Sequence, residues 1–196
     1  MACHPESEDP VRVTARAVAA ASLVRVPSES IVVLDLGSEV SFSFDDMLRY
    51  NGRGSPGGVA QAFKVLERAL PLLGPNGLLE RREITIETPF GGPGARDAFE
   101  LVTHAVTEGR FILDRSLVHP EQGRERQRFV FRLSYRGRAV TLLLREGFVT
   151  AEFLELAGRQ TRTPEQERRL TELKKEMATL VMSAAAANVY DVASDG

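Results

Sequence analysis

The chain has 196 residues, 25 Lys and Arg against 27 Asp and Glu for a net charge of −2, 43% apolar residues and no Trp. That balance argues for one ordinary globular domain with a core of its own, and excludes a collagen, a disordered tail and a disulfide scaffold. Cys3 is the only cysteine, so no intrachain disulfide can form and a cytoplasmic setting is expected.

The start, MACHPESEDP, carries Glu6, Glu8 and Asp9 where a leader would be basic. The apolar stretch at 18–24 is far short of the roughly 20 residues of a membrane span, so neither a leader nor a membrane association is expected. Residues 1–8 are read as a flexible N-terminal tail, 9–190 as a single domain and 191–196 as a flexible C-terminal tail.

Asp9 followed by Pro10 has the form of a helix cap with proline at the first helical position. It leads into VRVTARAVAAASLV, an alanine-rich helix that should stop before Pro27. IVVLDLG, 31–37, is β-branched and closed by glycine, and predicts a strand. In SFDDMLRYNG, Ser43 and Asp46 stand at capping-box spacing and predict a short helix ending at Asn51-Gly52. NGRGSPGG, 51–58, packs four glycines and a proline into eight residues. A helix follows with Val59, Phe63, Leu66 and Leu70 on one face.

After a turn at 74–77, REITIET alternates as a half-buried strand, with Ile84 and Ile86 on one face and Glu83, Thr85 and Glu87 on the other. A second glycine-rich loop, PFGGPGARD, opens a helix that Asp97 caps and Gly109 ends in a left-handed conformation. FILD begins another strand. Residues 128–135 alternate Phe129, Phe131, Leu133 and Tyr135 against Arg128, Val130, Arg132 and Ser134, and Arg136-Gly137 turns the chain into RAVTLLLRE as a hairpin. Thr163, Pro164 and Gln166 start a long C-terminal helix with Leu170, Leu173, Met177, Leu180 and Ala184 as an apolar stripe, available to the domain itself or to a homodimer seam. The order of elements gives an α+β fold: a small mixed or antiparallel sheet with helices packed on it.

Two glycine-rich loops that each precede a helix leave backbone N–H groups and the positive end of a helix dipole free for an anion. Neither matches a known phosphate motif, since the first lacks the P-loop lysine and the GxGxxG register. No cofactor motif is present, so no cofactor is expected.

SFDDMLRYNGRGSPGGVAQAFKVLERAL resembles the segment around the FHGHxCPG motif of the formylmethanofuran dehydrogenase E-like family. ITIETPFGGPGARDAFELVTHAVTEGRFILD is similar to that family's strand, cysteine-bearing turn, Asp-Ala pair and helix. The likeness covers about residues 43–114 and rests on order and spacing. It implies the family's fold and the place of its pocket. The family's Cys and His residues are the metal ligands it implies, and here they are replaced: Asn51 and Arg53 stand at the two histidines, Ser55 at the cysteine, and PFGGPG and Ala105 at the later cysteines. Soft metal sites need thiolate or imidazole donors, so no metal is expected at these positions.

Arg53 and Arg96 would put fixed positive charge where a cation might have been, and a guanidinium fork suits a carboxylate or phosphate. The expected ligand is therefore a small anionic organic molecule, held between the loops by Asn51, Arg53, Gly57, Gly58, Arg96 and Asp97. Ser55, His104 and Glu87 are the candidates for non-redox acid–base chemistry if turnover occurs. Ser55, His104 and Asp97 also have plain structural readings: Ser55 as a turn residue or cap, His104 as a surface histidine, Asp97 as a helix cap. The alternative is a non-catalytic regulatory or partner-binding homodimer. Nucleic-acid binding through Arg124, Arg126, Arg128, Arg132 and Arg138 ranks low, because the glycines of an aromatic RNA-binding strand are missing.

Overall fold

The computed structural model describes residues 30–193. The proposed tail at 1–8, the alanine-rich helix before Pro27, Cys3, His4 and the last three residues lie outside the described residues.

The first strand, β1 (Ser30–Asp35), pairs antiparallel with β2 (Ser38–Ser43). The expected strand over 31–37 stops at Asp35 because Leu36 and Gly37 form a two-residue turn with φ of 52° and 80°. Both central residues of such a turn need positive φ to match the twist of the strands. Ser43 then closes a full capping box at the head of α1 (Phe44–Asn51): its hydroxyl accepts from Asp46 N at 3.1 Å, and the Asp46 carboxylate accepts from Ser43 N at 2.9 Å. The shorter Asp side chain thus does what Glu or Gln does elsewhere.

The central element is α2 (Pro56–Leu73). Its expected apolar face is buried, yet so are Ala60, Ala62, Val65 and Ala69, and even Gln61 and Lys64. A helix buried on most of its circumference, with only its last turn exposed at Pro71 and Leu72, sits between layers rather than on one. The Gln61 side-chain oxygen accepts from the Tyr190 hydroxyl at 2.5 Å, and Lys64 Nζ lies 2.7 Å from Glu67 Oε2.

A five-stranded sheet lies beside α2 in the order β4-β3-β5-β6-β7. It consists of β3 (Thr85–Thr88), β4 (Phe111–Leu113), β5 (Val130–Tyr135), β6 (Arg138–Leu144) and β7 (Tyr190–Val192). Only the β3–β4 pair is parallel, joined through α3 (Pro93–Thr103), as a parallel pair requires a crossover. The β5–β6 hairpin turns at Arg136 and Gly137, with φ of 45° and 80°. Phe131 is fully buried and meets the rings of Phe90, Phe99 and Tyr190. Each such side chain contributes about 1.5–3 kcal/mol by its burial.

Three helices complete the fold: α4 (Ala151–Gly158), α5 (Pro164–Ser183) and α6 (Ala186–Val189). The capping box of Thr163 and Gln166 is formed at the head of α5. Its stripe runs through Leu170, Leu173 and Met177 to Val181, which is fully buried, while Leu180 is 46% exposed. Against a straight helix the period of 3.6 residues carries the seam from 177 to 181 rather than 180. Residues 191 and 192, expected in a tail, belong to β7, where the Asp191 carboxylate accepts from Arg145 Nε at 2.8 Å.

Candidate functional site

The two glycine-rich segments meet backbone to backbone. Gly57 and Gly58 lie in the first turn of α2, and Gly94 in the first turn of α3. A Cβ on Gly94 would stand 2.2 Å from the Ser55 carbonyl oxygen and 3.0 Å from Val59 N. A Cβ on Gly58 would stand 3.0 Å from Ala95 N and 3.3 Å from Gly94 Cα. On the next face of α2, a Cβ on Gly57 would meet Met177 Sδ at 2.9 Å and the Lys174 carbonyl oxygen at 3.1 Å. These glycines allow backbones to approach, so Gly57 and Gly58, expected as ligand-binding residues, are explained by the packing of α2 against α5 and α3.

The segment 52–55 that joins α1 to α2 is the exposed part of the first loop. Gly52 adopts φ 77° and donates its N–H to the Leu48 carbonyl at 2.9 Å, ending α1. Lys174 Nζ donates to the Gly54 carbonyl at 2.9 Å and ties the loop to α5. Arg53 and Arg96 are exposed, and among the described residues neither guanidinium has an ion-pair or hydrogen-bond partner.

Asn51 and Asp97 are brought together: Asn51 Nδ2 donates to Asp97 Oδ2 at 2.7 Å. Among the described residues, Asn51 Oδ1 is buried without a donor. The helix begins at Pro93, with Gly92 as its cap, so Asp97 lies inside α3 and does not cap it. Neither α2 nor α3 has a side-chain cap or an acidic residue in its first turn. Two helix N-termini, each with unsatisfied N–H groups and partial positive charge, are therefore in contact.

Ser55, His104 and Glu87 are not brought together. Ser55 is the N-cap of α2 and its hydroxyl makes no capping bond. His104 caps the far end of α3, with φ 53°, about 15 Å along the helix axis from Gly94 at 1.5 Å per residue. Its Nδ1 is 3.8 Å from Glu100 Oε1. Glu87 alternates with buried Ile86 and so faces away from the helices, where it accepts from Arg132 Nη1 at 2.8 Å. The α3 helix ends at 103 and not at Gly109 because the Glu100 carboxylate gathers the amides of Val106 and Thr107 at 2.7 and 3.0 Å. Burial works to raise the Glu100 pKa, but the Thr107 hydroxyl and these amides outweigh it and hold the carboxyl below its ordinary value.

Sequence reasoning missed Arg81. Its guanidinium is buried, donates to the carbonyls of Leu101 and Val102, and sits 3.5 Å from Asp35. It satisfies carbonyls that the last turn of α3 leaves without partners. Burial lowers its pKa, against the pull of Asp35. The only signal was an arginine pair between two apolar strand runs, which spacing alone cannot assign to a helix end.

Among the arginines weighed for nucleic acid, Arg132 is paired with Glu87, and Arg126 donates to Gln122 and to the Leu144 carbonyl. Arg124, Arg128 and Arg138 are exposed. Among the described residues, no three His, Cys, Asp or Glu side chains are grouped so that they could hold a metal ion, and no helix is long and apolar enough to cross a membrane. No protein-family model matches the chain, and no curated protein matches it.

Proposed function

We propose that this chain binds a small organic anion, a carboxylate or phosphate, at the junction of the α2 and α3 N-termini. The observation that carries the reading is the direct contact of two helix starts, neither capped by a side chain nor accompanied by an acidic residue in its first turn. Arg53 on one segment and Arg96 on the other supply unpaired guanidinium groups at its edge. The anion lies on the outer side of the helix crossing, since the crossing itself is filled by backbone. The likeness to the formylmethanofuran dehydrogenase E-like family supports the same location.

The reading is one of binding. Ser55, His104 and Glu87 stand apart, so turnover through those three is not part of it. A cytoplasmic protein without a resident cofactor is the setting it assumes. Titration with a panel of carboxylates and phosphates, followed by calorimetry, tests it: Arg53→Ala and Arg96→Ala should each weaken binding about tenfold, or about 1.4 kcal/mol. Unchanged affinity in both variants overturns the reading. The second reading, a non-catalytic homodimer, draws on exposed Leu180, which the intramolecular seam of α5 leaves uncovered.

A further inference from the structure

Among the described residues the pair Asn-Gly occurs twice, at 51–52 and at 76–77, in opposite surroundings. Asn51 is the last residue of α1, its Nδ2 is held by Asp97 Oδ2 at 2.7 Å, and the Gly52 N–H donates to the Leu48 carbonyl at 2.9 Å. Asn76 is exposed in the turn that follows α2, and among the described residues its side chain has no hydrogen-bond partner. The Gly77 N–H closes that turn with one bond, to the Gly74 carbonyl at 3.2 Å, and a Cβ built on Gly77 meets nothing within 4 Å.

We propose that Asn76 is a site of covalent self-modification, and that the fold withholds the same chemistry from Asn51. The Gly77 amide nitrogen, giving up its proton, attacks Cγ of Asn76. The new N–Cγ bond closes a five-membered succinimide as the Cγ–Nδ2 bond breaks, and the proton leaves with Nδ2 as ammonia. Water then opens the ring at either carbonyl and leaves aspartate or isoaspartate. Nothing is oxidised or reduced, and water is the only co-reactant. Glycine is the favourable follower because it carries no side chain to obstruct the approach. At Asn76 the step needs the release of a single exposed hydrogen bond, a local opening of low cost. At Asn51 three restraints must be lost together: the leaving amide is anchored on Asp97, the attacking nitrogen is engaged by Leu48, and ring closure needs a backbone torsion at Asn51 outside the helical range. The product puts a negative charge, and in isoaspartate an extra main-chain carbon, into the turn between α2 and Leu79, whose carbonyl accepts from Leu34 N of β1 at 2.8 Å. The inference does not draw on the anion site.

Peptide mapping by mass spectrometry tests it, on the full chain held at mildly alkaline pH and sampled over days. The peptide with Asn76 should gain the mass of an amide-to-acid conversion and split into aspartyl and isoaspartyl forms, at a rate at least about tenfold that of the peptide with Asn51. In urea the two rates should converge, since both asparagines then have the same following residue and no fold around them. Gly77→Ala should slow the reaction at Asn76 about tenfold, by placing a methyl group beside the attacking nitrogen. Equal rates in the folded protein overturn the inference, as does an unreacted Asn76. A difference that persists undiminished in urea also overturns it, by tracing the selectivity to neighbouring sequence rather than to the fold. A rate that Gly77→Ala leaves unchanged overturns the succinimide route.

Discussion

A Cβ placed on Gly94 would lie 2.2 Å from the carbonyl oxygen of Ser55. The two residues belong to different helices, and the contact is backbone to backbone, so no rotamer change can relieve it. The start of α3 is thereby fixed against the start of α2, and both glycine-rich segments serve this crossing.

Gly94→Ala tests the crossing. In an open helix the change would be favourable by about 1 kcal/mol. Here the backbone must move, and a net destabilisation of about 1–3 kcal/mol is expected in thermal or denaturant unfolding. Gly77→Ala is the control: its added Cβ meets nothing within 4 Å and its φ is not in the left-handed region. It should be neutral or slightly stabilising.

Leu36 is an exposed residue with φ 52° in the β1–β2 turn, and 87% of it is accessible to solvent. A branched apolar side chain in the left-handed region is strained by about 1–2 kcal/mol, whereas Asn tolerates that region. Leu36→Asn creates the Asn-Gly pair that such turns favour. A rise in the denaturation midpoint with an unchanged slope is expected, and a fall contradicts the turn geometry.

The Glu100 carboxyl titrates below its ordinary value of 4.5 in the folded protein. A group whose folded pKa is depressed stabilises the fold above the unfolded pKa and loses that contribution as pH falls through the folded value. The stability difference between the native protein and Glu100→Gln should therefore be full at pH values above the ordinary one and shrink on acidification below it. Urea unfolding across that range measures it. A difference that does not change with pH would mean that the amides of 106 and 107 do not depend on the carboxylate charge.

Asn51→Ala removes the donor to Asp97 and leaves a half-buried carboxylate facing the α1–α3 contact. A loss of about 1–3 kcal/mol is expected, the range for a buried polar group that loses its partner. Asn51→Leu should fare no better, because the unpaired carboxylate remains in both. Restored stability in the double variant with Asp97→Leu would show that the pair acts as a unit.

Short-range rules made much of this chain legible. The capping boxes at Ser43 and Thr163, the alternation through Ile84 and Ile86, and the turn at Arg136-Gly137 form as their spacing requires. They depend on residues three or fewer positions apart. The β2 strand, α4 and β7 were not legible, because their residues gain order only from partners far along the chain: β7 pairs with β6 through Leu144 and Tyr190. The same limit hid the hydrogen bond between Asn51 and Asp97, and the placing of Glu87 and His104 on another face and another helix end.

The α+β class, the starts of α1 and α5 and the apolar faces of α2 and β3 could be read from the sequence, since periodicity and caps are local consequences of backbone geometry and apolar burial. What the glycines do depends on contacts between distant segments. A glycine-rich segment before a helix is compatible with a ligand cradle and with a close crossing of helices alike. The choice rests on what occupies the space where a Cβ would be, and at Gly58 and Gly94 that space is filled by another helix's backbone.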